Sequence, residues 1–188
     1  MRIAVYSGSF DPLHIGHLQI LRRLQQDSRF DEVYLIVSPR SPFKGEDKAR
    51  NARERYEAAL AAVARHPELT KVRVEDIELT MPAPQYTFRT LEALRAREPG
   101  NEFTLVVGAD NLAVFGGWRE HARILLDYGL IVFPRRGFDC QALRSALLEE
   151  NPAYRIELAD MPLVDVSSTQ IRESREDKKN QQASDLLM

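Results

Sequence analysis

The first seventeen residues constrain this chain more than any other stretch. Ile3-Ala-Val-Tyr6 is a short, continuous apolar run, the pattern of a strand buried on both faces of a parallel sheet. Gly8, Ser9, Asp11 and Pro12 follow at once, and an apolar-periodic stretch begins at Ile15. Strand, tight turn and helix N-terminus, in that order, aim backbone N–H groups and the positive end of a helix at one point. That geometry favours an anion. Two of the four histidines, His14 and His17, sit there three residues apart, so a helical turn puts both imidazoles on one face.

The rest of the chain repeats the strand-then-helix pattern. Leu18, Ile20, Leu21 and Leu24 predict an amphipathic helix over 15–26, and Glu32 to Val37 a second buried strand. Ser38 to Gly45 is a loop by its two prolines and glycine. Tyr56, Leu60 and Val63 mark the apolar face of a helix over 51–65, and 71–74 alternates as a strand. The two prolines of 76–84 predict extended chain or loop, after which Thr87 is placed to cap a helix through Arg97. Glu102 to Val107 predicts another buried strand. Two short helices follow near 112–115 and 118–126, then a strand over 128–133, a helix over 139–150 and a strand over 154–158. Ser167 opens a last helix, with Gln170 at capping-box spacing. The expected architecture is α/β, a mostly parallel sheet with right-handed crossovers, formed as a single domain over 1–188. In such sheets ligands bind at the carboxyl ends of strands. Those ends are the loops 7–17, 38–45, 108–111 and 134–137.

Composition narrows the partners. The net charge of −2 gives the chain no bulk pull toward nucleic acid or an anionic membrane, so any anion site must be local. The one cysteine, Cys140, excludes an internal disulfide framework and suits a reducing cytoplasm. No apolar run approaches the ~20 residues of a membrane helix, and the chain shows no signal-peptide pattern. The oligomeric state stays open, a homo-oligomer included. No His/Cys/Asp/Glu spacing resembles a metal cage built by the protein.

Gly8-Ser-Phe-Asp-Pro-Leu-His-Ile-Gly-His17 resembles the G-x-F-D-P-x-H-x-G-H signature of the nucleotidyltransferase superfamily, with every specified position present. Val166-Ser-Ser-Thr-Gln-Ile-Arg172 resembles the superfamily's second element, I-S-S-T-x-I-R. The resemblance implies a Rossmann-like, doubly wound fold with helices on both faces of the sheet. It implies that Gly8, Ser9, Phe10 and Gly16 line the phosphates of ATP, with His14 and His17 donating to them. Ser167, Ser168, Thr169 and Arg172 would meet the same phosphates. Middle segments narrow the likeness to bacterial nicotinate-nucleotide adenylyltransferases. Pro84-Gln-Tyr-Thr87 with Thr90-Leu91 resembles that family's P-S-Y-T…T-L, and Gly108-Ala-Asp-Asn-Leu112 its G-x-D-[SN]-L. Trp118 stands where the family's Trp stacks on a pyridine ring. Tyr86, Thr87 and Arg119 would meet the nicotinate carboxylate, and Gly108, Asp110 and Arg135 the ATP side. Ser38-Pro-Arg-Ser-Pro-Phe-Lys44 resembles the phosphate loop P-P-H-[KR]. Phe43 replaces the usual His and Lys44 keeps the cation.

The substrates so implied are ATP and nicotinate mononucleotide, with Mg²⁺ carried on ATP. Relatives acting on phosphopantetheine or cytidine nucleotides share the two end motifs but not the middle set, and a nucleotide-binding module without catalysis is the reading from another class. Histidines held against phosphate are expected to favour the protonated form.

Overall fold

The computed structural model describes residues 1–39 and 52–161. Among them six strands form one sheet: β1 (Arg2–Gly8), β2 (Glu32–Val37), β3 (Val72–Glu75), β4 (Glu102–Gly108), β5 (Leu130–Phe133) and β6 (Ile156–Leu158). Their order is β3-β2-β1-β4-β5-β6 and every neighbouring pair is parallel. Parallel neighbours cannot be joined by a hairpin, so helices carry the crossovers. They are α1 (Ile15–Gln26), α2 (Ala52–Ala64), α3 (Ile77–Thr80), α4 (Thr87–Arg97), α5 (Ala109–Leu112), α6 (His121–Arg123) and α7 (Cys140–Glu150). The chain runs outward from β1 to β3, then returns through α4 to lay β4 on the other side of β1. That reversal makes the β1/β4 boundary the topological switch point, where a doubly wound sheet binds ligands.

Alternation along the strands divides the core in two. Ile3 and Val5 of β1, Tyr34 and Ile36 of β2, and Leu105 and Val107 of β4 face one side. There they pack with Leu91 and Leu94 of α4, Leu147 of α7, and Leu112, Phe115, Ile124, Leu125 and Tyr128. Ala4 and Tyr6, Val33 and Leu35, and Val106 face the other, against Leu18, Ile20, Leu21 and Leu24 of α1 and Ala59 of α2. Period two in the strands and 3.6 in the helices thus meet in a three-layer sandwich.

The differences from expectation fall on short or capped segments. β1 and β4 each extend to a glycine, and β3 and β5 start later than their apolar patterns suggest. The stretch 76–84 is not simply extended, since α3 forms one helical turn there; four residues are too few to register a helical period. Thr87 is the first residue of α4 and not its cap. Tyr86 holds the cap position without a side-chain bond. The two helices expected within 112–126 are instead α5, a 3₁₀ turn at Phe115–Gly117, α6 and a π turn at Ile124–Tyr128. Glu120, with φ of 58° in the left-handed region, and Gly129, with φ of 76°, break that stretch. On α2 the buried residues are Arg55 and Ala59, while Leu60 is exposed.

Candidate active site

The loop after β1 is held from below by aromatic rings. Tyr6, the last inward residue of β1, meets Phe10 edge-on with centroids 5.2 Å apart, and Phe10 meets the His17 ring at 5.0 Å and 88°. Phe10 is buried and has φ of 42°, a left-handed conformation that costs a non-glycine residue on the order of 1–3 kcal/mol. Burial of its ring under His17 offsets that strain. Gly8 belongs to the same fit, because a Cβ there would lie 3.1 Å from the Phe10 ring.

The two histidines lock one another at the start of α1. His14 is the N-cap, and its Nδ1 accepts the Gly16 N–H at 3.1 Å. His17 Nδ1 accepts the His14 N–H at 3.2 Å, which closes a reciprocal capping box with imidazole in both places. The rings stack 3.7 Å apart at 25°. Both Nδ1 atoms are acceptors of backbone N–H groups, so each ring carries its hydrogen on Nε2 and each Nε2 is a donor. His14 Nε2 is buried without a hydrogen-bond partner among the described residues.

In the protein without substrate this arrangement favours the neutral imidazoles. Burial, then the Arg135 charge, pushes His14 down to about 4. Burial, then His14, then Arg135 pushes His17 down to about 3. A proton on Nδ1 would also face an N–H group, so the local geometry opposes the charged form. Both imidazoles are neutral at pH 7.

Across the switch point, Gly108 ends β4 and Asp110 lies in α5. Arg135, just past β5, places Nε 3.6 Å from the half-exposed Asp110 carboxylate. A Cβ on Gly108 would meet Asp110 Oδ1 and lie 3.1 Å from Arg135 Nε, so a side chain there would displace that pair. Sequence-predicted Gly8, Phe10, His14, Gly16, His17, Gly108, Asp110 and Arg135 therefore gather around the ends of β1 and β4, with Ser9 in the same loop.

Tyr86, Thr87, Trp118 and Arg119, expected from the sequence on the acceptor side, form a second group. The Arg119 guanidinium lies over the Tyr86 ring, 5.5 Å from its centroid. Thr87 opens α4 directly after Tyr86. Trp118 follows the 3₁₀ turn, stacks on Phe115 at 4.7 Å and 30°, and packs partly against the larger core cluster. It thus packs as well as lining this group, and a ring stacking on it must use the face away from Phe115. Its Nε1 is buried without a partner among the described residues. Lys44, Ser167, Ser168, Thr169 and Arg172 lie outside the described residues, as does the last predicted helix.

The family described as Cytidylyltransferase-like matches residues 5–174. The protein named probable nicotinate-nucleotide adenylyltransferase of Cytophaga hutchinsonii is 37% identical over 92% of this chain and 84% of its own length. Its namesake in Bacteroides fragilis is 36% identical over 92% of this chain and 81% of its own. The chain belongs to the nicotinate-nucleotide adenylyltransferase family. As a member it is a nucleotidyltransferase. The fold agrees: the nicotinic acid mononucleotide adenylyltransferase of Plasmodium falciparum, solved in complex with NaAD, superimposes with a TM-score of 0.75 at 18% identity, over 92% of this chain and 82% of that one.

This adenylyltransferase also holds a residue near the site that the sequence reading passed over. Arg55 of α2 is only 8% exposed. Its guanidinium donates to the carbonyl of Ser9, to that of Ser38 at 2.9 Å and to that of Pro39 at 3.0 Å. It therefore ties the loop after β1 to the loop after β2. The available signal was its spacing, since Arg55 lies four residues before Ala59 and so falls on the buried stripe of α2, where an arginine is uncommon. Arg53, two residues earlier, is exposed and pairs with Glu57 and Asp76.

Proposed function

We propose that the carboxyl edge of the sheet, at β1 and β4, transfers AMP from ATP to nicotinate mononucleotide. The products are nicotinate adenine dinucleotide and pyrophosphate, in NAD biosynthesis. The observation that carries this reading is the locked histidine pair at the start of α1. It presents two neutral Nε2–H donors beside a helix N-terminus and Arg135. In the reaction an oxygen of the mononucleotide phosphate attacks the α-phosphorus of ATP. The new P–O bond forms as the bond to the bridging oxygen breaks, and pyrophosphate leaves.

The nucleophile is already ionised near pH 7, so no general base is required. The difficulty is to hold two polyanions together and to steady charge on the reacting and leaving oxygens. Fixed donors do this without reorganisation, and one such donor is worth roughly 3 kcal/mol of barrier. Phosphate would also satisfy the unpartnered His14 Nε2. Gly8, Ser9, Phe10, Gly16, Gly108, Asp110 and Arg135 form the ATP side in this reading. Lys44, Ser167, Ser168, Thr169 and Arg172 are assigned to the same phosphates by their motifs. The acceptor ring stacks on Trp118, and its carboxylate meets Arg119 and the backbone N–H groups of the Tyr86–Thr87 turn.

Mg²⁺ bound to the ATP phosphates would offset their charge. Among the described residues no group of three or more His, Cys, Asp or Glu side chains could hold a metal ion. Both half-sites belong to one sheet, which supports a single nucleotidyltransferase domain over 1–188. Among the described residues no helix is long and apolar enough to cross a membrane. The lone, half-buried Cys140 suits a reducing, cytoplasmic setting.

Pyrophosphate release from ATP with a panel of acceptors tests the assignment. Release is expected with nicotinate mononucleotide and not with phosphopantetheine. The reverse preference would move the chain to a sibling activity, and no release with any acceptor would make it a binding module.

A further inference from the structure

Glu78, on the single turn of α3, is a buried carboxyl at 3% exposure that the proposed chemistry does not use. Its partners are hydroxyls. Thr90 Oγ1 of α4 donates to Glu78 Oε1 at 2.9 Å, and Ser7 Oγ, near the end of β1, donates to the same oxygen at 3.3 Å. The Ser38 hydroxyl, just past β2, also reaches the carboxyl and lies 2.9 Å from Ser7 Oγ. Thr90 Oγ1 lies 3.4 Å from the Tyr86 carbonyl as well, and the Thr90 and Arg89 N–H groups donate to that carbonyl at 3.2 and 2.8 Å. A continuous polar path thus runs from the strand that launches the histidine loop, through Glu78 and Thr90, to the backbone of the Tyr86–Thr87 turn. Burial raises the Glu78 pKa while the hydroxyls of Ser38, Thr90 and Ser7 lower it. A carboxyl kept in so dry a place is costly unless its bonds are made.

We propose that Glu78 is a positioning residue that fixes the Tyr86–Thr87 turn against the loop after β1, and so sets how the acceptor approaches ATP. This rests on the assignment of that turn to the acceptor. Of the three strand-end and helix elements it ties, two carry the ATP side and one the acceptor side. Its loss therefore shifts one half-site relative to the other.

The test compares Glu78→Ala, Glu78→Gln and Thr90→Val, each assayed well below its melting temperature. For Glu78→Ala we expect kcat to fall roughly 30-fold, within the range of about 100-fold that an ångström of misplacement can cost. KM for nicotinate mononucleotide should rise roughly tenfold, with KM for ATP within about twofold. Glu78→Gln keeps an acceptor for Thr90 and a donor for Ser38, and should recover most of the activity. Thr90→Val removes the hydroxyl bonds to Glu78 and to the Tyr86 carbonyl but leaves the Ser7 and Ser38 bonds to Glu78; it should raise the same KM, and it stands in if Glu78→Ala does not fold. A readout without substrate is hydrogen exchange at the Arg89 and Thr90 N–H groups, expected to speed roughly tenfold in Glu78→Ala or Thr90→Val. Unchanged kinetics and exchange, an equal rise in both KM values, or a Glu78→Gln as impaired as Glu78→Ala would each overturn the proposal. Failure of the functional assignment looks different, since wild-type protein would then release no pyrophosphate from ATP and nicotinate mononucleotide while the exchange measurement still decides the role of Glu78.

Discussion

In the loop after β1, the side chains at the heart of the site are held before any substrate arrives. His14 and His17 accept from fixed backbone N–H groups, their rings stack, and Phe10 and Tyr6 fill the space beneath. The segment after β4 is built differently. Between Ala109 and Tyr128 the chain makes four short helical pieces, with Val114, Gly116, Gly117 and Arg119 exposed and Trp118 half-buried on Phe115. The first region is a rigid donor array suited to charge that develops in the transition state. The second is anchored in the core by Leu112, Phe115, Ile124, Leu125 and Tyr128 but leaves Trp118 half-buried and Arg119 exposed, which suits recognition of a ring and its carboxylate. The comparison predicts that changes in the first region act on kcat and changes in the second on the KM of the acceptor.

The largest expected effect comes from His17→Ala. It should lower kcat roughly 100- to 1,000-fold, the loss from removing one preorganised donor, with smaller changes in either KM. A kcat near wild type in folded protein would remove His17 from the chemistry. Next is Arg55→Ala, which leaves the Ser9, Ser38 and Pro39 carbonyls without their buried partner. Urea denaturation should show a loss of roughly 2–4 kcal/mol, and Arg55→Lys should rescue little, because one ammonium cannot reproduce the planar fork. Full rescue by lysine would mean that charge, and not the clamp, matters. Trp118→Ala should raise KM for nicotinate mononucleotide roughly tenfold and leave that for ATP within about twofold. Equal effects on both would erase the division between the two regions.

A further prediction concerns pH. The folded-state pKa values of His14 and His17 are depressed from 6.5 to about 4 and 3. Below pH 6.5 the unfolded chain therefore binds more protons than the folded one. Their contribution to stability is fully present above that value and is lost as pH falls toward 4 and 3. Denaturation at pH 7, 5.5 and 4.5 should show the decline, and His17→Gln should flatten part of it. An equal slope in the variant would show that His17 is not the group responsible.

The parts of this picture legible in the sequence are those made by neighbours in the chain. The strand, turn and helix of residues 2–26 follow from apolar periodicity and a ten-residue motif, and α1 begins and ends where that periodicity places it. The parallel sheet follows from the alternation of strands and helices. The protonation of the histidines was not legible. It depends on burial and on Arg135, which lies more than a hundred residues away and meets them only through the β1–β4–β5 pairing. Arg55 was hidden among the cations around it, because burial of α2 is set by the rotation of the helix against the sheet. The pieces between Ala109 and Tyr128 are three to five residues long, too short for a helical period to declare itself, and Glu120 breaks them with a conformation its sequence does not advertise.

The account stands most directly on the state of the two imidazoles in the free protein, which ¹⁵N NMR of histidine-labelled protein reads ring by ring. His14 and His17 should both show the neutral Nε2–H tautomer from pH 5 to 8, with no titration step in that range. An ordinary midpoint near 6.5, or hydrogen on Nδ1 of either ring, would contradict the capping-box lock and with it the claim that this loop offers two preset neutral donors to phosphate.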